Sequence, residues 1–250
     1  MQAVKKTFDV LELIAMSKEG VSLDSLSKSL GYPKATAHRI CKTLIDCGYL
    51  RQLSSGHYCI SAKLLSLGYG VVQHDPLATE VTPILQALAD EMGFNVNLQR
   101  RDLHTVILLK KEEPKHAVFH TNARPGLVSP LHQAACGKII LAHLDESQWQ
   151  EYWALYADNP DRFCHFSDGK VDNIDDFFQE NRRIKQQGWA VDGEGNESGI
   201  TCVAVPLLTA NTVQYAISVS GLTPEIHRYG MNNIIERLNQ LSADIVNKHY

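Results

Sequence analysis

The segment between residues 34 and 43 carries the side chains best suited to bind nucleic acid. Its apolar residues recur at helical spacing and would form the buried face of one helix. Its outer face is basic and hydroxyl-bearing: arginine can hydrogen-bond a guanine edge through two donors, and lysine suits phosphates. A predicted hairpin after this helix adds two more such side chains. The expected DNA contacts are Lys34, Thr36, His38, Arg39, Lys42, Thr43, Arg51 and His57.

Two segments of the C-terminal part predict a cavity for a small molecule. The segment 130–138 has small residues at 134, 135 and 137, which would let a ligand or another backbone approach closely. A helix beginning here would offer free N–H groups and positive potential to an anion. In the segment 188–199, Asp192 can accept a hydrogen bond from a ligand hydroxyl. Ser218 and Ser220 alternate onto one face of a later strand.

Three other chemistries involve the first of these segments. His132 and Cys136 stand four residues apart on a predicted helix and would face one metal ion, with Cys202 as a third ligand. A cysteine or serine nucleophile with His132 as base would make this part a metal- or thiol-dependent enzyme with an appended DNA-binding head. A redox switch at Cys136 would need a nearby cation or helix N-terminus to lower the pKa of the thiol. Since the chain has no GxSxG, CxxC or Walker motif, we expect no catalytic residue, metal or other cofactor.

The first seventy residues have the pattern of a winged helix-turn-helix, which would position the DNA contacts. Gly31-Tyr32-Pro33 breaks the chain before the basic helix, and Gly48 ends that helix. Two short strands around a Ser-Ser-Gly turn would then form the wing. The predicted elements are helices over 3–17, after the cap residue Ser22 and over 34–46, then strands over 49–53 and 57–60.

A linker and a long helix are predicted between this head and the rest of the chain. The linker is an amphipathic stretch over 63–73, and the long helix covers 75–92. A helix-turn-helix usually needs a twin to read a palindrome, so we expect the linker to carry dimer contacts. The predicted domains are 1–62 for DNA binding, 63–75 for the linker and 76–250 for effector binding.

The remaining segments predict an α+β domain, with helices packed on a sheet whose late strands are antiparallel. The loop most expected to move is 158–170. Strands are predicted over 95–99, 105–110, 117–121, 201–208 and 214–220. Helices are predicted over 131–143, 147–156, 172–187 and 224–247.

The charge distribution agrees with a DNA-binding N-terminal part joined to a C-terminal part that does not bind DNA. Residues 1–70 carry nine Lys or Arg and five Asp or Glu, whereas residues 71–250 carry 15 and 23. A basic head on an acidic body fits a phosphate-facing module attached to a part that does not contact phosphates. The six cysteines show no framework spacing, which favours reduced thiols. With no secretion signal and no apolar run of membrane-spanning length, we expect a cytoplasmic protein that does not enter a membrane.

Three blocks of the chain, in order, resemble the IclR family of bacterial transcriptional regulators. The first is Gly31–Arg39, which reads Gly-Tyr-Pro-Lys-Ala-Thr-Ala-His-Arg. The second combines Pro130-Leu131-His132 with Cys136-Gly137-Lys138 and Leu141-Ala142. The third runs from Gly188-Trp189-Ala190 through Gly199–Pro206. The resemblance covers essentially the whole chain.

The resemblance implies a winged-helix head, a linker helix and a GAF/PAS-like effector-binding domain. It also implies homodimers, often paired into homotetramers, that bind a double-stranded DNA operator and either repress or activate. The effectors it implies are small organic or aromatic acids or sugar-derived metabolites. Ala35 replaces the family's usual hydroxyl residue, and Gly195 stands where a second glutamate is common. By position, the family's effector pocket would involve Ala135, Cys136, Asp192, Cys202, Ser218 and Ser220.

Overall fold

The computed structural model of the protein describes residues 2–73, 75–116, 120–156, 166, 171–209 and 212–249. The chain forms two compact units, Met1–His74 and Asp75–Tyr250. Most of the predicted strand 117–121 and of the predicted loop 158–170 lies outside the described residues, and residues 120 and 121 are not in a strand. Within the described part, no helix is long and apolar enough to cross a membrane.

The first unit begins with three helices and a two-stranded hairpin, as the sequence predicts. The Ser22 side chain accepts a hydrogen bond from Ser25 N and caps the second helix. The left-handed backbone of Gly48, at φ +79°, follows the end of the third helix. The elements are α1 (Gln2–Ala15), α2 (Leu23–Leu30), α3 (Lys34–Asp46), β1 (Leu50–Gln52) and β2 (Tyr58–Ile60). The core contains Val10, Ile14, Leu26, Ala37, Cys41, Leu44, Leu50 and Tyr58.

Two helices of the first unit bear large, exposed apolar side chains. On α1, Val10 and Ile14 are fully buried, while Val4 and Phe8 are exposed. Helix α4 (Lys63–Gln73) follows the hairpin at the predicted linker. Leu65, Leu67 and Tyr69 of this helix are also exposed.

The predicted helix over 75–92 is wrong as a single element. The chain forms α5 (Pro76–Glu80) and α6 (Thr82–Met92), which meet at Val81. Pro83 lies in the first turn of α6, where its missing N–H costs no helical hydrogen bond. A proline inside one continuous helix would remove such a bond and clash with the preceding turn.

A six-stranded antiparallel sheet organises the second unit. Two of its strands, β5 and β6, are absent from the sequence prediction because they have three and four residues. The order across the sheet is β5-β4-β3-β8-β7-β6. The strands are β3 (Asn95–Asp102), β4 (Thr105–Glu112), β5 (Val128–Pro130), β6 (Ala190–Gly193), β7 (Ile200–Thr209) and β8 (Thr212–Leu222).

Helices pack on both faces of this sheet and form two apolar cores. Helices α6 and α11 cover one face, and α7, α8 and α9 contribute to the core on the other. The predicted last helix over 224–247 divides at Gly230, whose φ is +97°. The helices are α7 (Ala135–Ala142), α8 (Glu146–Leu155), α9 (Ile174–Gln187), α10 (Thr223–Tyr229) and α11 (Met231–His249). The predicted α+β fold class is confirmed.

In the middle of β3 and β8, alternation places polar and apolar residues on opposite faces of the sheet. In β3, Val96 and Leu98 join the core beneath α6 and α11. Asn97, between them, must point to the opposite face. In β8, Ile217 and Val219 likewise join that core. The second face of the central sheet therefore has polar and small side chains where the first has valine, isoleucine and leucine.

Candidate functional site

Helix α3 presents the predicted DNA-reading residues around a buried stripe. His38, Arg39 and Lys42 are exposed, while Ala37 and Cys41 are fully buried. Neither an ion pair nor a hydrogen bond joins these three exposed side chains to the rest of the described chain. The helix therefore offers an arginine and a lysine whose charges are available to a partner.

Two other predicted residues on α3 already have partners within the head. Lys34 Nζ lies 2.7 Å from Asp24 Oδ1, so a phosphate would have to compete with a carboxylate for it. Thr43 Oγ1 donates to Arg39 O at 3.0 Å. Thr36 is half-buried. These contacts make Arg39 and Lys42 better placed than Lys34 or Thr43 to bind DNA.

The hairpin places the two predicted wing residues on β1 and in its turn. Arg51 is exposed in the middle of β1, and His57 is half-buried just before β2. An isolated bridge between Val21 and Tyr58 ties the hairpin to the segment before α2. The wing is therefore attached to the helix-turn-helix, as a winged helix requires.

The start of α4 is attached to the end of α3. Lys63 Nζ donates to the Cys47 carbonyl at 2.7 Å and lies 4.5 Å from the centre of the Tyr49 ring. A cation at the C-terminus of a helix interacts favourably with its free carbonyls. The first residue of the linker thus contacts the C-terminal end of the predicted recognition helix.

A cavity of about 300 Å³ opens on the polar face of the sheet. All six residues assigned to the effector by the family resemblance line it: Ala135, Cys136, Asp192, Cys202, Ser218 and Ser220. The sequence analysis missed other polar residues of its wall, among them Asn97, Gln99, Thr121, Asn122, Ser129, Asn196 and Glu197. The structure brings the predicted set together; whether it holds an effector stays a prediction.

The N-terminus of α7 forms one wall of the cavity. The helix begins at Ala135, four residues after the predicted start, and Ala134 is its N-cap without a side-chain hydrogen bond. The N–H groups of Ala135 and Cys136 have no acceptor within the described chain. Ala134 and Ala135 line the cavity, whereas a Cβ on Gly137 would lie 2.3 Å from Leu131 O. Gly137 therefore accommodates another backbone and not the ligand.

Asp192 lines the cavity and has one oxygen that accepts no hydrogen bond. Its side chain is almost fully buried. Its Oδ2 accepts from Asn196 Nδ2 at 2.9 Å, and its Oδ1 lies 3.7 Å from Lys138 Nζ. Lys138 is also buried and donates to Val191 O at 3.0 Å. The lysine compensates part of the carboxylate charge without satisfying Oδ1.

Four buried polar atoms of the cavity wall have no hydrogen-bond partner in the described chain. They are Asn97 Oδ1, Gln99 Oε1, Thr121 Oγ1 and Asp192 Oδ1. A buried polar group left unsatisfied costs about 1–3 kcal/mol of stability. Such atoms clustered in one cavity indicate a site shaped for a polar molecule.

Two loops are joined at the cavity wall. Asn122 donates through Nδ2 to Glu197 Oε1 at 2.8 Å and through its backbone N to Glu197 Oε2 at 3.3 Å. In the same loop as Glu197, Asn196 Nδ2 also donates to Gln133 O at 2.8 Å. The loop with Gly195 is therefore tethered at two residues, Asn196 and Glu197.

The thiols and the histidine do not support the alternative chemistries. Burial raises the pKa of Cys136 to about 12, although a hydrogen bond from Ser218 opposes the shift. Burial also raises the pKa of Cys202, so both thiols are neutral at physiological pH. Burial and the charge of Lys138 lower the pKa of His132 to about 4. His132 Nδ1 lies 2.7 Å from Tyr152 Oη, and the described residues contain no cluster of three potential metal ligands.

A winged helix-turn-helix joined in one chain to a sheet domain is the architecture of a DNA-binding regulator. The IclR helix-turn-helix domain model matches residues 3–54. The model of the bacterial transcriptional regulator IclR C-terminal domain matches residues 69–247. The chain belongs to the IclR family, and it is a transcriptional regulator and not an enzyme.

One curated relative and two solved structures are similar to this chain over most of its length; the two structures share its fold. The Escherichia coli DNA-binding transcriptional repressor YiaJ is 27% identical over 99% of this chain and 87% of its own length. An IclR family regulator from Brucella abortus has a TM-score of 0.79 at 22% identity, covering 100% of this chain and 93% of its own. An IclR homolog from Microbacterium hydrocarbonoxydans, solved with 4-hydroxybenzoate, has a TM-score of 0.74 at 17% identity, covering 98% of each chain.

Proposed function

We propose that the protein binds a palindromic operator as a dimer or tetramer and that a small acid in the cavity changes its operator affinity. The cavity lined by all six expected residues carries this proposal. Residues 1–62 read the DNA, 63–75 form the linker and 76–250 sense the effector. As a regulator of a bacterial gene, the protein would act in the cytoplasm.

An acid is supported by the donors at one end of the cavity. The free N–H groups of Ala135 and Cys136 and the helix dipole favour an anion at the start of α7. The relative solved with 4-hydroxybenzoate supports a carboxylate ligand for this fold. Asp192, whose Oδ1 is free, would accept a hydrogen bond from a hydroxyl of the same ligand.

Dimer formation is supported by the apolar residues of α4. The exposed fractions of Leu65 and Tyr69 are 75% and 59%, and the two residues stand four apart on one helical face. An exposed apolar face of this kind marks a site of association. A matching α4 from a second copy would cover it and set the distance between two recognition helices.

Leu65→Lys is expected to weaken dimerisation at least tenfold, since it puts a charge into an apolar contact. Analytical ultracentrifugation over a concentration series measures the effect, and operator affinity should fall with it. Ser66→Lys is the matched control, because Ser66 is an exposed polar residue of the same helix. If both variants associate like the parent, α4 is not the dimer contact.

A route from the cavity to the linker is supported by a buried cluster at the first residue of the second unit. Asp75 is almost fully buried. Its Oδ2 accepts from Arg100 Nη1 and from Tyr215 Oη, both at 3.0 Å. Arg100 and Tyr215 are paired in register on β3 and β8, and the next register pair contains Gln99 of the cavity wall. A shift of β3 on ligand binding would move the point where the linker ends.

Tyr215→Phe removes one of these bonds without changing the ring. We expect the effector to bind Tyr215→Phe within about twofold of the parent, while its effect on operator affinity shrinks at least threefold. Calorimetry measures effector affinity. Operator titrations with and without effector measure its effect on operator affinity. Unchanged coupling would show that the Asp75 cluster only stabilises the fold.

The decisive experiment for the proposed function is selection of bound DNA from a random pool, followed by a metabolite screen. We expect a palindromic site and steep salt dependence, with about one unit of slope lost for each phosphate contact removed. Metabolites that stabilise the protein are then tested for an effect on operator affinity. Asp192→Asn, nearly equal in shape, should lose most of the thermal response to the true effector. An equal response would exclude Asp192 as a ligand contact.

A further inference from the structure

The four buried cavity atoms that lack a hydrogen-bond partner are all oxygens. Asn97 Oδ1, Gln99 Oε1 and Asp192 Oδ1 are oxygens that only accept hydrogen bonds, and Thr121 Oγ1 can accept one. We propose that the effector is a carboxylate bearing at least three hydroxyl groups, which donate to these oxygens. The inference rests on the proposed function of the cavity and narrows its ligand to polyhydroxylated acids.

The two serines of β8 hold the Asn97 amide at the cavity. Its Nδ2 lies 3.1 Å from Ser220 Oγ and 3.3 Å from Ser218 Oγ, which leaves Oδ1 for a ligand. Turned over, the amide would accept from the same two hydroxyls and offer an N–H to the ligand. A ligand hydroxyl can bind in either case, because it donates to an oxygen and accepts from an N–H.

The composition of the wall disfavours an aromatic acid. None of the described residues that line the cavity is aromatic, so the wall provides no ring for a ligand ring to stack on. A hydroxybenzoate has one hydroxyl and would leave most of the free acceptors unsatisfied. A volume of about 300 Å³ is at the lower end of ligand cavities, which suits one small chain or ring of carbons bearing hydroxyls.

The charges of the wall give the ligand one orientation. Asp192 and Glu197 are the carboxylates among the described lining residues, which include no lysine or arginine. A ligand carboxylate is therefore repelled from the Asp192 side and attracted to the free N–H groups of Ala135 and Cys136. The hydroxyls then face Asp192 and the acceptors of β3.

The test uses the full chain, melted with and without a panel of acids at equal concentration. The panel contains gluconate, galactonate, glucuronate and galacturonate, with lactate, 4-hydroxybenzoate and sorbitol as comparators. We expect at least one polyhydroxylated acid to raise the Tm and to bind at least tenfold more tightly by calorimetry than every comparator. Absence of binding by all four, equal binding of lactate or 4-hydroxybenzoate, or equal binding of uncharged sorbitol would each overturn the proposal.

Two shape-conserving variants test the named atoms. Thr121→Val and Gln99→Met each remove one free oxygen, and we expect each to lower affinity for the bound acid at least tenfold. The Tm without ligand should be unchanged or higher, because a buried unsatisfied atom is lost. Thr105→Val is the control, since Thr105 lies on β4 outside the cavity wall. Affinity retained in both cavity variants would overturn the assignment.

Operator titrations on the same samples separate this inference from the proposed function. If 4-hydroxybenzoate alone binds and changes operator affinity, the regulator is ligand-responsive and the polyhydroxylated effector is wrong. If a polyhydroxylated acid binds through Thr121 and Gln99 without changing operator affinity, the ligand class stands and the regulatory function fails.

Discussion

Arg39→Ala is expected to abolish specific recognition of the operator while leaving the fold intact. Arg39 is exposed on α3, and its side chain makes no hydrogen bond or ion pair with the described residues that the substitution would break. An arginine that reads a guanine through two hydrogen bonds contributes about 1–3 kcal/mol of discrimination. That is roughly 5- to 150-fold per half-site, and a dimer has two half-sites. Affinity for the selected site should fall toward the nonspecific level.

The measurement compares the selected operator with a scrambled duplex at two salt concentrations. Lys42→Ala is the informative contrast, because a phosphate contact carries no sequence information. It should weaken both duplexes alike and lower the salt slope by about one unit for each bound copy. Lys18→Ala, an exposed lysine after α1, is the control for net charge. If Arg39→Ala still protects the selected site, α3 does not read the bases through Arg39.

The elements of the head could be predicted because their signals are local. The cap at Ser22, the turn before α3 and the apolar stripe of α3 each depend on residues within a few positions. The buried face of α1 cannot be predicted from local sequence alone. Its sequence has apolar residues on two faces, and packing against α2, α3 and β2 decides that Val10 and Ile14 are inside while Val4 and Phe8 are not.

The cavity could be predicted only in part, because it depends on strand pairing over long sequence separations. Asn97 contacts Ser218 and Ser220 since β3 pairs with β8, and no local pattern reveals that neighbour. Gln99 lies in the cavity wall because of the same pairing of β3 with β8. Thr121 lies in a loop without periodicity. The six predicted residues came instead from resemblance, which carries tertiary information that spacing does not.

At Gly137 a close approach occurs, as the small residue predicts, but the approaching group is backbone and not a ligand. The run of small residues before and within α7 predicts close approach by a ligand or a backbone. Ala134 and Ala135 do face the cavity, but Gly137 packs on the chain at Leu131. Its hydrogen atom allows the Pro130–Leu131 turn to lie against the helix, and this contact fixes where α7 begins.

Gly137→Ala is therefore expected to destabilise the second unit strongly, although alanine favours helices over glycine. The added Cβ would lie 2.3 Å from Leu131 O and 2.7 Å from Leu131 Cα, and backbone atoms cannot rotate away. Overpacking of this kind costs about 1–3 kcal/mol or more, so the Tm should fall by roughly 2–12 °C. Ligand affinity should fall as well, because the displaced start of α7 carries the N–H groups that face the cavity.

The three tryptophans, Trp149, Trp153 and Trp189, all lie in the second unit, so their fluorescence reports its unfolding without a signal from the head. Gly193→Ala is the matched control, because a Cβ at Gly193 meets nothing within 4 Å. It should shift the Tm by about 2 °C at most, as expected for a surface substitution worth about 0.5 kcal/mol. If Gly137→Ala has the same Tm as Gly193→Ala, the prediction is wrong. The start of α7 can then move away from Leu131, and it does not form a fixed wall of the cavity.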